Sequence, residues 1–267
     1  MALAVCPCFL QRSAAMQETG YETFSFYYDA LTENVNYPAR AAYLDGLVQK
    51  FLRAEGRVML DLACGTGTLT EEMAKRGYDM IGVDYSEGML GQAMEKKITH
   101  QLPIQYVCQD MRELELYGTV DAAICTLDSL NHLPSFSDVE QVFRRVWESL
   151  EPGGVFVFDM NTLYKHRELL GSQVYVYETE DVYCVWENAL CEDNCTVEIT
   201  LDLFRLCADG RYIRTDEQIT ERAYDSEQVA SGLEKAGFHV LGIYHADTEE
   251  PLRPDSERMV IAARKEA

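Results

Sequence analysis

The chain has 267 residues, 47 % of them hydrophobic, and a formal net charge of −22. That length and apolar content support a full core, in one large domain or a domain with an insertion, and exclude global disorder. An acidic field repels phosphate backbones and anionic membrane surfaces, and no run approaches the roughly 18 consecutive apolar residues of a membrane span, so neither a nucleic-acid nor a membrane partner is expected.

Nine cysteines are an odd count at irregular spacing. They suit reduced thiols in a cytoplasm better than a disulfide framework. Cys191 and Cys195 have no second Cys or His pair nearby, so no metal site is expected.

Met1 to Ala15 holds an apolar stretch broken by Pro7, with no basic residue ahead of it as a secretory signal requires. A disordered tail is expected over residues 1–15. Tyr21 to Leu31 is dense in aromatics and reads as a helix laying an aromatic face on the core. Pro38 to Leu52 reads as helix, with Pro38 tolerated near its amino terminus and Ala42, Leu44, Leu47 and Phe51 on one face.

Val58 to Leu62 is an apolar run of the length of a buried parallel strand. Ala63-Cys64-Gly65-Thr66-Gly67 follows, where small residues let the backbone turn sharply and approach a ligand. Thr68 is placed to cap the helix from Leu69 to Arg76, and Gly77 ends it. Strand, glycine turn and helix start form a ligand site, because strand carboxyl ends and a helix amino terminus converge there. Asp79 to Asp84 is a second strand, and a carboxylate at its end can accept both hydrogen bonds of a ribose diol. Ser86 caps the next helix, through Met94. Ile104 to Cys108 and Val120 to Cys125 are the third and fourth strands. Ser137 to Leu150 is helical, Glu151 to Gly154 a turn, and Val155 to Asp159 the fifth strand. Strands alternating with helices mean a parallel sheet covered on both faces.

The pattern changes after residue 170. Three strand-like runs appear, Val174 to Trp186, Thr196 to Leu206 and Arg211 to Thr220, with Ala208-Asp209-Gly210 as a hairpin signal. Ser226 to Ala236 returns to helix, and Val240 to Tyr244 and Met259 to Ala263 are two last strands. Residues 16–170 and 221–267 are therefore expected to form one body, and residues 171–220 an antiparallel insertion.

The dinucleotide fingerprint G-x-G-x-x-G fails at its third glycine, where Thr70 stands. D-L-A-C-G-T-G at Asp61 to Gly67 instead resembles motif I of the class I S-adenosylmethionine-dependent methyltransferases. V-D-Y-S-E-G-M-L at Val83 to Leu90, C-Q-D-M at Cys108 to Met111 and L-E-P-G-G-V-F-V-F-D-M-N at Leu150 to Asn161 follow in the family's order. The resemblance spans about Tyr21 to Lys265. The inserted strands are similar to those of small bacterial methyltransferases, sugar-amine N-methyltransferases among them.

The resemblance implies an α/β fold, a doubly wound, mostly parallel seven-stranded sheet with a three-stranded antiparallel cap, and S-adenosyl-L-methionine as cofactor. It implies that Ala63, Gly65 and Gly67 bring backbone up to the methionine and ribose, with Asp61 at the amino group. Asp84 would bind the ribose hydroxyls, with Tyr85 and Met89 around the adenine. In the Gln109-Asp110-Met111 segment, Asp110 would accept from the adenine amino group and Met111 would offer its backbone N–H. Leu127 would cover the sulfonium side, and Tyr28 and Tyr37 would line the methionine end.

Methyl transfer from a sulfonium is an in-line displacement, in which alignment of the acceptor supplies most of the acceleration. An amine needs little more than a place to lose its proton, whereas a hydroxyl wants a general base. His132, after the fourth strand, is the candidate base, against the commoner structural role of a loop histidine. Asp128, Asn131, Asn161, Trp186, Arg222 and Tyr224 are candidates for the pocket of a small-molecule acceptor. Two other readings stand beside this one. A nicotinamide-dependent oxidoreductase is opposed by the missing glycine and the two extra strands. A non-catalytic adenosyl-binding regulator would lack an enclosed pocket at the methyl end. The inserted strands, with Tyr175, Tyr177, Tyr183 and Trp186, are expected to lid the site. The competing reading is a dimerisation surface, which leaves monomer and homodimer both open.

Overall fold

The structure, a computed structural model, describes residues 24–266. The expected tail over residues 1–15 lies outside the described residues, as does Tyr21. The aromatic stretch is not one helix. A single 3-10 turn at Phe24–Phe26 is followed by the short helix α1 (Tyr28–Leu31). Helix α2 (Tyr37–Phe51) starts where Asn36 Oδ1 accepts the Ala39 N–H at 3.1 Å, with Pro38 in its first turn.

From there strands and helices alternate as β1 (Val58–Leu62), α3 (Thr68–Lys75), β2 (Asp79–Asp84), α4 (Glu87–His100) and β3 (Gln105–Cys108). Next come β4 (Val120–Cys125), α5 (Phe136–Ser149) and β5 (Leu150–Asn161). Strand β5 takes in Glu151 to Gly154, the residues expected to be a separate turn. Four antiparallel strands follow, β6 (Val174–Glu178), β7 (Val182–Leu190), β8 (Thr196–Leu206) and β9 (Tyr212–Arg222). Helix α6 (Ser226–Ala236) leads into β10 (Phe238–His245) and β11 (Arg258–Lys265).

Seven strands form one sheet in the order β10-β11-β5-β4-β1-β2-β3. Strands β1 to β5 pair in parallel, while β11 pairs antiparallel with both β5 and β10. The order reverses between β1 and β4, which opens a crevice beyond their carboxyl ends. Successive residues of β5 show why both faces are covered. Phe156 and Phe158 pack with Val139, Phe143, Val146 and Leu233 of α5 and α6, whereas Val155 and Val157 pack with Leu44, Leu47 and Met73 of α2 and α3.

The second sheet is a meander in the order β6-β7-β8-β9, so the cap has four strands rather than the three expected. The run read as one strand from Val174 to Trp186 folds back at residues 179–181. There the Val182 N–H donates to Thr179 Oγ1 at 3.1 Å and the Thr179 N–H to the Val182 carbonyl at 2.9 Å. A threonine hydroxyl closes that turn, so no glycine or proline marks it in the sequence. The cap's inner face, with Val182, Cys184, Val197, Ile199, Leu201 and Leu203, packs on Phe24, Leu31 and Met89. This contact brings the cap over the crevice.

Candidate active site

After Leu62 the backbone passes through three left-handed residues, Ala63 (φ 58°), Gly65 (φ 54°) and Gly67 (φ 75°). Glycine takes this conformation freely, whereas Ala63 bears its Cβ penalty of roughly 1–2 kcal/mol. Helix α3 is capped by Gly67 rather than Thr68, with no side-chain cap bond. Thr68 is already helical, and its hydroxyl donates to Asp29 Oδ1 at 3.2 Å while accepting from Lys96 Nζ at 2.7 Å. Asp29 also accepts from Thr66 Oγ1 at 2.7 Å and pairs with Lys96, so α1 is tied to the glycine turn.

Three carboxylates stand at neighbouring strand ends. Asp61 is buried and accepts from Thr70 Oγ1 at 2.6 Å. Burial pushes its pKa up to about 7, against the Thr70 bond and with help from the Asp84 charge. Asp84 accepts the Gly65 N–H at 2.8 Å on one oxygen and the Ser86 N–H at 2.8 Å on the other. Burial raises its pKa in spite of these bonds. Asp110 caps the 3-10 turn Met111–Glu113 and is held by the Arg112 guanidinium, which keeps its carboxyl below the usual range.

One cavity of about 590 Å³ joins these acids to the cap. Its wall includes Tyr28, Tyr37, Asp61, Ala63, Gly65 and Asp84. Tyr85, Met89, Gln109, Asp110, Met111 and Leu127 continue it. At the far end stand Asp128, His132, Tyr177, Trp186, Ile199, Ile219 and Glu221. Phe24 lies edge-on to both Tyr28 and Trp186, with centroids 5.5 and 6.3 Å apart, and its N–H donates to Glu217 Oε1 of β9 at 2.8 Å. The first described residues are thereby fastened to the cap as well as to the glycine turn.

The segment after β4 is held by an acid that sequence reasoning passed over. Leu127 (φ 57°) and Asp128 (φ 59°) are consecutive left-handed non-glycine residues. Their N–H groups both donate to Asp159, each at 2.9 Å. Asp159 is buried and pairs with Arg40 and Arg258. Burial opposes its charge, but Arg258 and Arg40 outweigh that and hold its pKa below the ordinary value. Arg258 also reaches Asp128 Oδ1 at 3.1 Å, and Asp128 is likewise held low against its burial, first by Arg258 and then by Lys165 and His132.

Five residues read as site candidates lie off the cavity wall. Gly67 acts through its conformation: a Cβ there would sit 2.3 Å from the Tyr106 hydroxyl oxygen. Asn131 donates to the Arg222 carbonyl at 2.8 Å and accepts the Asn161 N–H at 2.9 Å, which ties β5 to β9. Asn161 Nδ2 donates to Asp128 Oδ2 at 2.6 Å and to Glu221 Oε2 at 2.9 Å, behind the wall. Arg222 points outward and pairs with Asp193 at 2.9 Å. Tyr224 is buried against Phe136, 5.1 Å between centroids. Glu221, Arg258 and Asp159 were legible only as an acid or base near a strand end.

A family model for a methyltransferase domain matches residues 59–154. A Geobacillus sp. (strain WCH70) protein, provisionally named a methyltransferase, is 33 % identical over 245 residues, which is 92 % of this chain and 99 % of that one. The crystal structure of an S-adenosylmethionine-dependent methyltransferase from Clostridium acetobutylicum ATCC 824 superposes with a TM-score of 0.81 at 30 % identity, covering 92 % of this chain and 99 % of that one. The sugar N-methyltransferase KedS8 from Streptoalloteichus sp. ATCC 53650 shares the fold, with a TM-score of 0.76 at 20 % identity over the full length of both chains. The failed third glycine, the two antiparallel strands β10 and β11, the strand-end acids and these likenesses agree: the chain belongs to the class I S-adenosylmethionine-dependent methyltransferases.

Proposed function

We propose that this methyltransferase acts on a small-molecule amine or hydroxyl held between the end of β4 and the cap sheet. The observation that carries this reading is the single cavity running from Asp84 and Asp110 to Tyr177 and Trp186. Its walls come from two sheets and the α1 segment, a shape that suits a small acceptor better than a macromolecule. KedS8, a sugar N-methyltransferase by name, shares the two-sheet fold, which supports the same acceptor class.

The residues fit S-adenosylmethionine. Asp84 carries one N–H bond on each oxygen and keeps lone pairs for ribose hydroxyls, since an ionised carboxylate accepts about four bonds. Asp110 already takes the Arg112 N–H and guanidinium on both oxygens, so it receives the adenine amino group by yielding part of that contact. Tyr85 and Met89 flank the adenine, with Gln109 beside it and the Met111 N–H as donor. Asp61 faces the amino group, and Ala63 and Gly65 bring backbone close, with Gly67 shaping the turn. Tyr28 and Tyr37 run along the methionine end. When bound, the cofactor supplies a methyl group on a sulfonium, an electrophile that needs no further activation. The chain's own work is to align the acceptor and exclude water. Leu127 closes the sulfonium side, the left-handed Leu127-Asp128 pair is fixed by Asp159, and Trp186 and His132 border the space left for the acceptor.

The test is release of labelled methyl from the cofactor against a panel of small amines, hydroxyls and thiols. Binding of NAD without any adenosyl compound, or methylation of protein or nucleic acid alone, would overturn the reading.

A further inference from the structure

The cap lends five residues to the cavity wall, Tyr177, Trp186, Ile199, Ile219 and Glu221. Strand register explains why they meet there. Ile199 of β8 stands between Asn188 of β7 and Ile219 of β9, and Trp186 precedes Asn188 by two residues, so all four point from one face of the sheet. Tyr177 and Trp186 bring rings, and Ile199 and Ile219 bring branched aliphatic chains. Glu221, the one charged member, is buried at the end of β9 and accepts from Asn161 Nδ2 of the main sheet at 2.9 Å. The other ionisable groups at this end, Asp128, His132 and Arg258, come from the main body. The space left for the acceptor therefore has an apolar roof and a polar floor.

Trp186 has one polar side-chain atom, and the cap keeps it for itself. The indole N–H donates to Asn188 Oδ1 at 2.9 Å. Asn188 is buried, and its Nδ2 and backbone N–H both donate to the Gln173 carbonyl, at 3.3 and 2.9 Å, just ahead of β6. The amide is thus spent on the indole and on Gln173. Tyr177 and Phe24 meet the indole edge-on, with centroids 6.2 and 6.3 Å away. Together these contacts fix the plane of the ring, and what Trp186 presents is carbon surface. A ring studded with hydroxyls would give up water against Trp186, Ile199 and Ile219 and find no partner on them. That loses roughly tenfold in affinity for each hydroxyl left unpaired. A flat apolar ring has nothing to leave unpaired and gains the aromatic contact.

We propose that the acceptor carries its amine or hydroxyl on a flat apolar ring that lies against Trp186, and that Asn188 is the positioning residue that holds the indole for it. This rests on the methyl-transfer reading above and narrows its acceptor to aryl amines and phenols. The ring sits under the cap, and its nucleophile points to the polar floor beside Leu127. Asn188 touches neither acceptor nor cofactor and acts through the indole.

The experiment is a ligand-observed NMR titration of the full chain saturated with S-adenosylhomocysteine, which keeps the cofactor end filled. The probes are phenol and methyl α-D-glucopyranoside, both uncharged six-membered rings that bear hydroxyls. Phenol is expected to bind the wild-type protein at least about tenfold more tightly. Equal binding, tighter binding of the glucoside, or no binding of either overturns the ring assignment. Trp186→Leu removes the flat face and should abolish the preference; a preference that survives it overturns the assignment to Trp186. Asn188→Leu leaves the indole N–H without its acceptor and should weaken phenol several-fold, whereas Asn188→Asp keeps an acceptor and should bind phenol as the wild-type protein does. Asn188→Ala, which adds no bulk, takes the place of Asn188→Leu if that variant does not fold. In a Trp186→Phe background there is no N–H to hold, so the same change at Asn188 should leave phenol binding nearly unaltered. An equal loss in both backgrounds makes Asn188 a structural residue of the cap and overturns its positioning role. Failure of the wild-type protein to bind S-adenosylhomocysteine at all sinks the methyl-transfer reading, and this assignment with it.

Discussion

Asp61 gives the cofactor site a pH dependence with a definite sign. Burial pushes its pKa up to about 7, above the ordinary carboxylate value of 3.8. The folded apo-protein therefore holds a proton that the unfolded chain has lost. The stability Asp61 contributes is full below about pH 4 and is lost as pH rises through about 7. Binding of an ammonium group beside Asp61 favours the ionised form, so affinity for S-adenosylhomocysteine should rise between about pH 6 and pH 8 and then level off. Asp61→Asn should flatten that profile, and a flat profile in the wild-type protein would remove Asp61 from the amino group. Asp84 needs a gentler substitution than alanine. It holds the Gly65 and Ser86 N–H groups as well as facing the cavity, so Asp84→Ala loses cofactor contacts and unties the glycine turn together. Asp84→Asn keeps one acceptor oxygen. It should lower cofactor affinity by about tenfold or more, from roughly 1.5–3 kcal/mol per charged bond weakened, and move the apo thermal midpoint less than Asp84→Ala does. Equal midpoints for the two variants would deny Asp84 its part in the turn. Ala63→Gly should relieve left-handed strain, offset in part by unfolded-chain entropy, for a net gain of about 0.5–1 kcal/mol in denaturant unfolding. Any loss of stability would show that Ala63 is not strained.

At the scale of elements, α1 is a strap that also sets Leu31 into the apolar cluster under the cap. It is one turn long and is held by Asp29 to Thr66, Thr68 and Lys96, and by the Phe24 N–H to Glu217. The Asp29 bonds are half exposed, so Asp29→Ala should leave global stability within about 1 kcal/mol and speed cofactor release several-fold in stopped-flow. An unchanged release rate would mean that the strap does not gate the site. The strands β1, β2 and β4 were legible to the residue because apolar runs bounded by turns and charges have one reading. Strand β9 was not. Gln218, Thr220 and Arg222 on one face are polar, and on the other Ile219 stands between Glu217 and Glu221, so one apolar residue is too little alternation to set its phase, and Arg222 was chosen where Glu221 faces the cavity. Asn131, Asn161 and Tyr224 sit next to strand ends in sequence, but their side chains are spent on joining elements. The turn at residues 179–181 and the Gly67 cap turned on local hydrogen bonding that residue type does not announce.

At the scale of the molecule, the main sheet has two apolar clusters of its own, one on each face, and the cap shares a third with Phe24, Leu31 and Met89. The main body therefore keeps its core when the cap is removed. Replacing residues 174–219 with a short Gly/Ser linker retains Glu221 and every strand-end acid, but it takes away Tyr177, Trp186, Ile199 and Ile219 from the wall and the Glu217 anchor of the strap. A lid predicts that S-adenosylhomocysteine still binds, weakened by no more than the loosened strap accounts for, while methyl transfer is lost and the oligomeric state does not change. The rival role has a physical basis in β6, an edge strand whose five residues are all exposed, with Val174 and Val176 more than half so. An unprotected apolar edge pairs readily with a partner chain. The two roles part on one comparison, in which sedimentation and labelled-methyl transfer are measured on the full and shortened chains side by side. A shortened chain that turns from dimer to monomer and still methylates the same acceptor would mean that the four strands serve assembly, and that the acceptor is chosen by Asp128, His132 and Glu221 alone.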